Sequence, residues 1–339
     1  MKKSKADQTS QRKQRKVFDL VGIDFSSTGT RVVRLKKKKD GAVVLTGMDI
    51  LPAIDLTQQQ CSATLPKPLS PHYANVAYSG GEAVARVLNV PLPAGEKMLS
   101  DEKLRESLNV SSDYRVSATI LKKGQGRQDT TFLAAAVPNK VITSILSCFS
   151  TGSPAVASVQ VAGVAFISAF LHAREEEIKN EVVCVVQYGE STTYFTFLNK
   201  GKVLLVGKSA IGNCVLNTRV SEELGIDEDL TQTIIVNRSI DVSSSIMDVM
   251  MPIFKQLSIS KDFIERHLTC EISKLYVSGS KNLLSCWTKE ATQFLHVDVI
   301  PWSPLENIQH EKDIIPKCFS KKISNFSVAI GAAIGGLEK

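Results

Sequence analysis

The sequence predicts an α/β protein built from two similar lobes. Two observations carry this: a strand–turn–strand pattern that occurs twice, and helical periodicities that follow each copy. A third sets the scale, since 339 residues with 43% apolar and 22% charged residues are enough for two ordinary cores.

The first copy is "VGIDFSSTGTRVVRLKKKKDGAVVLTG" (21–47), and the second is "VVQYGESTTYFTFLNKGKVLLVG" (185–207). At an offset of 163, Asp24 falls on Gln187, Thr30 on Thr193 and Leu35 on Leu198. After a turn shortened by three residues, Gly41 meets Gly201 and Gly47 meets Gly207. Each copy reads as a three-stranded meander with hydroxyl- and glycine-containing turns. A helix is expected over 139–150, where Val141, Ile142, Ile145, Leu146 and Phe149 share a face after Pro138-Asn139. Val215, Leu216, Val220 and Leu224 predict another over 213–224, closed by Gly225. The stripe Ile246, Val249, Met250, Ile253, Phe254 and Leu257 predicts a third over 242–258, with a kink or break at Pro252. "KLYVSGSKNLL" (274–284) reads as a strand entering a glycine loop, and "NFSVAIGAAIGGL" (325–337) as a helix suited to close backbone packing.

Charge is concentrated at one end. Residues 1–16 hold seven Lys/Arg and one Asp, which is +6 of the total +7. This basic segment has almost no apolar residues and is expected to be a disordered tail; it lacks the pattern of a secretory signal. The run Lys36 to Lys39 reads as a solvated hairpin tip. Seven dispersed cysteines without a Cys-x-x-Cys spacing argue for reduced thiols, and no metal cluster or Ser-His-Asp triad has local support. The apolar stretch 154–171 contains Gln160 and reads as a buried helix, so a soluble cytoplasmic protein is expected. Aromatics are 6% and no recognition motif accompanies the tail, so nucleic-acid binding is not expected.

Taken in order, the motifs resemble the actin-like ATPase superfamily, and within it the PilM branch that neighbours FtsA. "GIDFSSTGTRVVRL" is similar to the first phosphate hairpin, "VVQYGESTTYFTFLNKGKVLLVGKSAIG" to the second, and "LYVSGSKNLL" to the adenosine loop. "SVAIGAAIGG" resembles the closing helix, and "NVAYSGGEAVARVLNVPLPAGEK" the start of the inserted subdomain of PilM and FtsA, with "TTFLAAAVPNKVITSILSCF" as its return strand and helix. The resemblance implies a two-lobed actin-like (ribonuclease H-like duplicated) fold with a PilM/FtsA-type inserted subdomain. The implied first lobe is 17–74 with 136–178 and 323–339, and the insertion is 75–135. The second-lobe core is 179–210 with 270–322, and its small subdomain is 211–269.

The resemblance also implies a cleft for ATP and Mg, with Asp24 as the candidate ligand of a magnesium-bound water. Ser26, Ser27, Thr28, Gly189, Thr192, Thr193, Gly279 and Ser280 are the implied nucleotide-contacting positions. Such a site uses hydroxyls and turn amides for phosphate oxygens and a carboxylate from each hairpin for hard-cation coordination. This sequence departs from that pattern. Gln187 stands where the second carboxylate is expected, and an amide brings neither charge nor a useful base. Ser26 and Ser280 replace customary glycines, and "LTQTIIVNRS" lacks the Glu and Lys that commonly hold the nucleoside. Loss of one charge-stabilising group costs about 3–4 kcal/mol of barrier. Hydrolysis is therefore expected to be absent or very slow, while nucleotide binding stays open.

Three functions follow from the resemblance. The leading one is a PilM-like scaffold of a type IV pilus, or a related envelope machine, at the inner face of the inner membrane. It would take the N-terminal cytoplasmic peptide of a PilN-like inner-membrane protein in a groove that 75–135 helps form, with Val84, Arg86 and Leu88 on one strand face as candidate contacts. Membrane association would then be peripheral, through the partner, and homo-oligomerisation stays open. The second is a working ATPase with a replacement carboxylate, Glu190 in the phosphate turn or Asp227, Glu228 or Asp229. The third, an FtsA-like division protein, is disfavoured because no amphipathic membrane helix follows "AIGGLEK".

Overall fold

A computed structural model describes residues 17–58, 61–92, 98–124, 129–149, 153–237, 239–279, 281–320 and 322–337. The expected basic tail, residues 1–16, lies outside them, as does Ser280. The chain opens with β1 (Asp19–Ser26), β2 (Gly29–Lys37), β3 (Val43–Leu51) and β4 (Tyr73–Tyr78). Then come β5 (Val84–Val90), α1 (Asp101–Leu108), β6 (Tyr114–Lys122), β7 (Thr130–Pro138) and α2 (Asn139–Ser147). β8 (Ala155–Val161) and α3 (Ala162–Ile178) complete the first half.

The second half comprises β9 (Val182–Tyr188), β10 (Thr193–Asn199), β11 (Lys202–Ser209), α4 (Asn213–Leu224), α5 (Glu228–Asn237) and α6 (Ser243–Leu268). It continues through β12 (Lys274–Ser278), α7 (Lys281–Leu295), β13 (Asp298–Pro301) and β14 (Ile308–Gln309) to α8 (Ser327–Leu337).

The repeat seen in the sequence is a repeat of topology. One sheet runs β14-β3-β2-β1-β4-β8 and the other β11-β10-β9-β12-β13, each with an antiparallel meander followed by parallel strands. The register also repeats: Asp24 sits opposite Arg31 and Phe25 opposite Thr30, while Gln187 sits opposite Tyr194 and Tyr188 opposite Thr193. The 163-residue offset thus holds at the level of individual ladder pairs. A third sheet, β5-β7-β6, is the insertion, cored by Leu104, Leu108, Val116 and Phe132. β4 lies between β1 and β8, so the separate sheet starts at Val84 rather than at residue 75. Ile308 and Gln309, expected in the second lobe, instead pair with Val43 and Val44 of β3.

α8 and α3 pack between the two large sheets, and their small residues explain how. A Cβ at Gly22 would overlap the Ala329 carbonyl, and one at Gly331 would overlap that of Ala165. From Ser327 to Ile334 every α8 residue is buried, as expected for a helix that is apolar on all sides. Phe166, Phe170 and Phe326 fill the same core, each contributing about 1.5–3 kcal/mol by burial.

α4 ends at Gly225 in the left-handed conformation (φ 64°), as the sequence predicts. α6 runs through Pro252 as one 26-residue helix, so of the kink or break expected there the break does not occur. Its buried stripe, which extends to Leu257 and Ile264, outweighs the roughly 3 kcal/mol that an interior proline costs.

Candidate functional site

The hairpins β1–β2 and β9–β10 face each other across a cleft between the lobes. Its lining includes Asp24, Ser26, Thr28, Arg31 and Ser79 from one side and Gln187, Gly189, Glu190 and Thr192 from the other. Sequence-derived Asp24, Ser26, Thr28, Gly189 and Thr192 are therefore brought together. Ser27 is an exposed turn residue and does not line the cleft. Thr193 is fully buried and donates its hydroxyl to the Ile211 carbonyl (2.7 Å), while Gly279 packs against Tyr188. Neither residue is among those that line the cleft.

The residue that organises the cleft is Arg31, which the sequence reading does not single out. It is 5% exposed. Its Nη1 donates to Ser26 Oγ at 2.6 Å and its Nη2 to Thr28 Oγ1 at 3.1 Å. The guanidinium also stands 3.9 Å from Asp24 Oδ2, and its Nε has no partner among the described residues. Ser79 Oγ donates to Asp24 Oδ1 at 2.5 Å. Burial raises the Asp24 pKa above the ordinary carboxylate range, opposed first by the Arg31 charge and then by the Ser79 hydrogen bond. A readable signal existed: in a two-residue hairpin turn, Arg31 must sit directly across the ladder from Asp24.

Three side chains make polar contacts that bridge the lobes. Asn325 Nδ2 donates to Glu190 Oε1 (2.6 Å), Tyr194 Oη to the Ser79 carbonyl (3.4 Å), and Lys208 Nζ to the Gly81 and Ala83 carbonyls (2.7 Å each). Burial raises the Tyr194 pKa, with the Asp24 charge adding to it, and burial lowers that of Lys208. The N-terminus of α4, a natural anion site, is also engaged. The Asn213 amide donates to the Gly189 carbonyl and the Cys214 amide to that of Glu190. Glu190 thus lies in the cleft but is tied to Asn325. Asp227 and Glu228 lie elsewhere, Glu228 accepting from Thr218 (3.0 Å).

This residue set does not fit a magnesium nucleotide. The cavity measures about 30 Å³, room for one or two waters. Two of the hydroxyls that would meet phosphate, those of Ser26 and Thr28, already accept from Arg31, and this cation stands beside the buried Asp24 carboxylate. Gln187 adds no charge where a second carboxylate would serve magnesium.

A larger cavity of about 360 Å³ opens where the insertion meets the second lobe. It is lined by Ala83, Val84, Arg86, Val161, Val206 and Lys208 among others. Of the predicted partner contacts, Val84 and Arg86 line it. Leu88 instead packs toward the Leu104–Leu108 cluster. Among the described residues β5 pairs only with β7, so it is one of the two edge strands of its sheet, and β11 of the second lobe packs against it.

The duplicated sheets, the interlobe cleft and the insertion define an actin-like fold. More particularly, the chain is similar in fold to the solved structure of a PilM–PilN type IV pilus biogenesis complex, at 17% identity and a TM-score of 0.76, covering 96% of this chain and 100% of that one. Looser similarities, both at a TM-score of 0.47, link it to two other proteins. One is a Bacteroides thetaiotaomicron protein of actin-like ATPase fold and unknown function (10% identity, covering 84% of this chain and 90% of that one). The other is the ethanolamine utilization protein EutJ from Carboxydothermus hydrogenoformans (14%, 93% and 88%). No protein-family model and no curated protein matches the sequence. Among the described residues, no helix is long and apolar enough to cross a membrane.

Proposed function

We propose that the chain is a PilM-like cytoplasmic scaffold of a type IV pilus or related envelope assembly complex, working without nucleotide turnover. The observation that carries this reading is the Arg31 cluster. It puts a fixed internal cation and hydroxyl network where an actin-like ATPase needs space for magnesium and phosphates. The interlobe contacts of Asn325, Tyr194 and Lys208 support a body that stays closed without a bound bridge.

The partner in this reading is the N-terminal cytoplasmic peptide of a PilN-like inner-membrane protein. Support comes from the likeness in fold to the PilM–PilN complex and from the 360 Å³ cavity beside the insertion. The unpaired edge of β5 offers main-chain hydrogen bonds to an extended peptide, and Val84, Val161 and Val206 offer apolar contact. The protein would then sit at the inner face of the membrane through its partner. The five-part domain division of the sequence reading belongs to the same proposal, with the insertion starting at Val84.

Fluorescence anisotropy tests this, using N-terminal peptides of single-span membrane proteins encoded beside the gene. Saturable binding weakened at least about tenfold by Val84→Asp is expected, as a charge would enter an apolar contact. Failure of all such peptides to bind, together with ATP turnover lost in Asp24→Ala, would replace this reading with the ATPase.

A further inference from the structure

The C-terminal half of α6 carries an apolar stripe that nothing among the described residues covers. Ile259 is 71% exposed and Phe263 63% exposed. They stand one turn apart, and the Phe263 ring stacks on His267 with centroids 6.0 Å apart and planes 4° from parallel. Together with Asp262 and Arg266 these residues line an open groove. Large exposed apolar residues next to one another on a rigid helix mark a contact surface more often than isolated ones do.

The charges on the stripe identify the occupant. Asp262 and Arg266 flank the apolar residues, and neither has an ion-pair partner among the described residues. One acid and one base on the same short stripe make it self-complementary under a twofold axis. When two copies of α6 lie antiparallel and centred on Phe263, Ile259 of one faces His267 of the other. Asp262 then comes within a turn of Arg266 of the second copy, twice over. A purely acidic or purely basic partner would match only half of this pattern.

We infer that α6 is an isologous homodimerisation surface, with Phe263 at its centre and the Asp262–Arg266 pairs setting the antiparallel register. A stripe of about two turns buries less than the roughly 800 Å² per partner of a standard stable interface. Association is therefore weak and concentration-dependent, with a dissociation constant above about 1 µM. The stripe lies on the same helix as Gln256, which lines the β5 cavity one turn before Ile259, but none of its own residues lines that cavity or the interlobe cleft.

Sedimentation velocity of the full chain, over about 1 to 200 µM, tests it. A reversible monomer–dimer equilibrium is expected. Phe263→Glu should weaken it at least about tenfold; both Phe263 and Ile259 are exposed, so circular dichroism should show an intact fold. Asp262→Arg and Arg266→Asp should each weaken it about fivefold or more, and the double swap should return it to within about twofold of the parent. A chain that stays monomeric throughout overturns the inference. So does a dimer indifferent to Phe263→Glu, or single charge variants that dimerise like the parent.

Discussion

Replacing Arg31 with methionine keeps most of its volume and removes its charge. The variant loses two charge-assisted hydrogen bonds, to Ser26 (2.6 Å) and Thr28 (3.1 Å), and leaves Asp24 buried at 4% exposure without a neighbouring cation. Each such bond contributes on the order of 1.5–3 kcal/mol, and breaking a buried pair is costly because the remaining charge is stranded. The Ser79 hydrogen bond and protonation of Asp24 limit the loss, so about 3 kcal/mol is expected. At roughly 1–2 °C per kcal/mol for a chain of this length, Tm should fall by about 3–6 °C in thermal unfolding followed by circular dichroism.

The pH dependence gives the mechanism. Asp24 already binds its proton more tightly in the folded state, so its contribution to stability is lost as pH rises through the folded pKa. Removing Arg31 raises that pKa further, so the deficit of the variant should be smaller at pH 5 than at pH 8. Adding Asp24→Asn should restore part of the stability, because it removes the stranded charge. An Arg31→Met protein melting within about 1 °C of the parent, or one whose deficit shrinks as pH rises, would refute the reasoning.

Other outcomes follow from the fold. Asp19 accepts a bidentate fork from Arg34 (2.8 and 2.6 Å); burial opposes its charge, but Arg34 and then Lys36 hold its pKa below the ordinary range. This stabilisation is present above the unfolded carboxylate pKa and is lost as pH falls through the folded one. Asp19→Asn should therefore cost about 1 kcal/mol at pH 7 and nothing at the acid end, measured by urea unfolding. Pro252→Ala restores a helical amide in α6 and should stabilise by about 1–3 kcal/mol in the same assay. Gly22→Ala drives a methyl into the Ala329 carbonyl and should cost about 3 kcal/mol, read as a lowered urea midpoint or as insoluble expression.

Much of the scaffold is legible in the sequence because it depends on local periodicity. The two meanders, the Gly225 cap and the α6 stripe each follow from spacing within about a dozen residues. What escaped depends on strand register and on which segments meet once the lobes are assembled. Arg31 looks like one cation in the basic run up to Lys39 until the Ser26–Gly29 register places it opposite Asp24. Ser79, Tyr194 and Asn325 lie on three different segments, and only the closed lobes bring them to the cleft. Thr193 and Gly279 belong by motif to the phosphate site, yet one hydroxyl turns to Ile211 and the other residue packs on Tyr188. Pro252 reads as a breaker because its local cost is visible in the sequence, whereas the burial on both sides of it is not.

Isothermal titration of the chain with Mg-ATP tests the central claim most directly: the cleft is already filled by its own cation and hydroxyls. No saturable heat at millimolar nucleotide and no rise in Tm are expected. Binding with a dissociation constant near 10 µM would stabilise the fold by about 2.7 kcal/mol at a hundredfold excess of ligand over that constant. A magnesium-dependent isotherm with such a shift, abolished by Asp24→Ala, would contradict it.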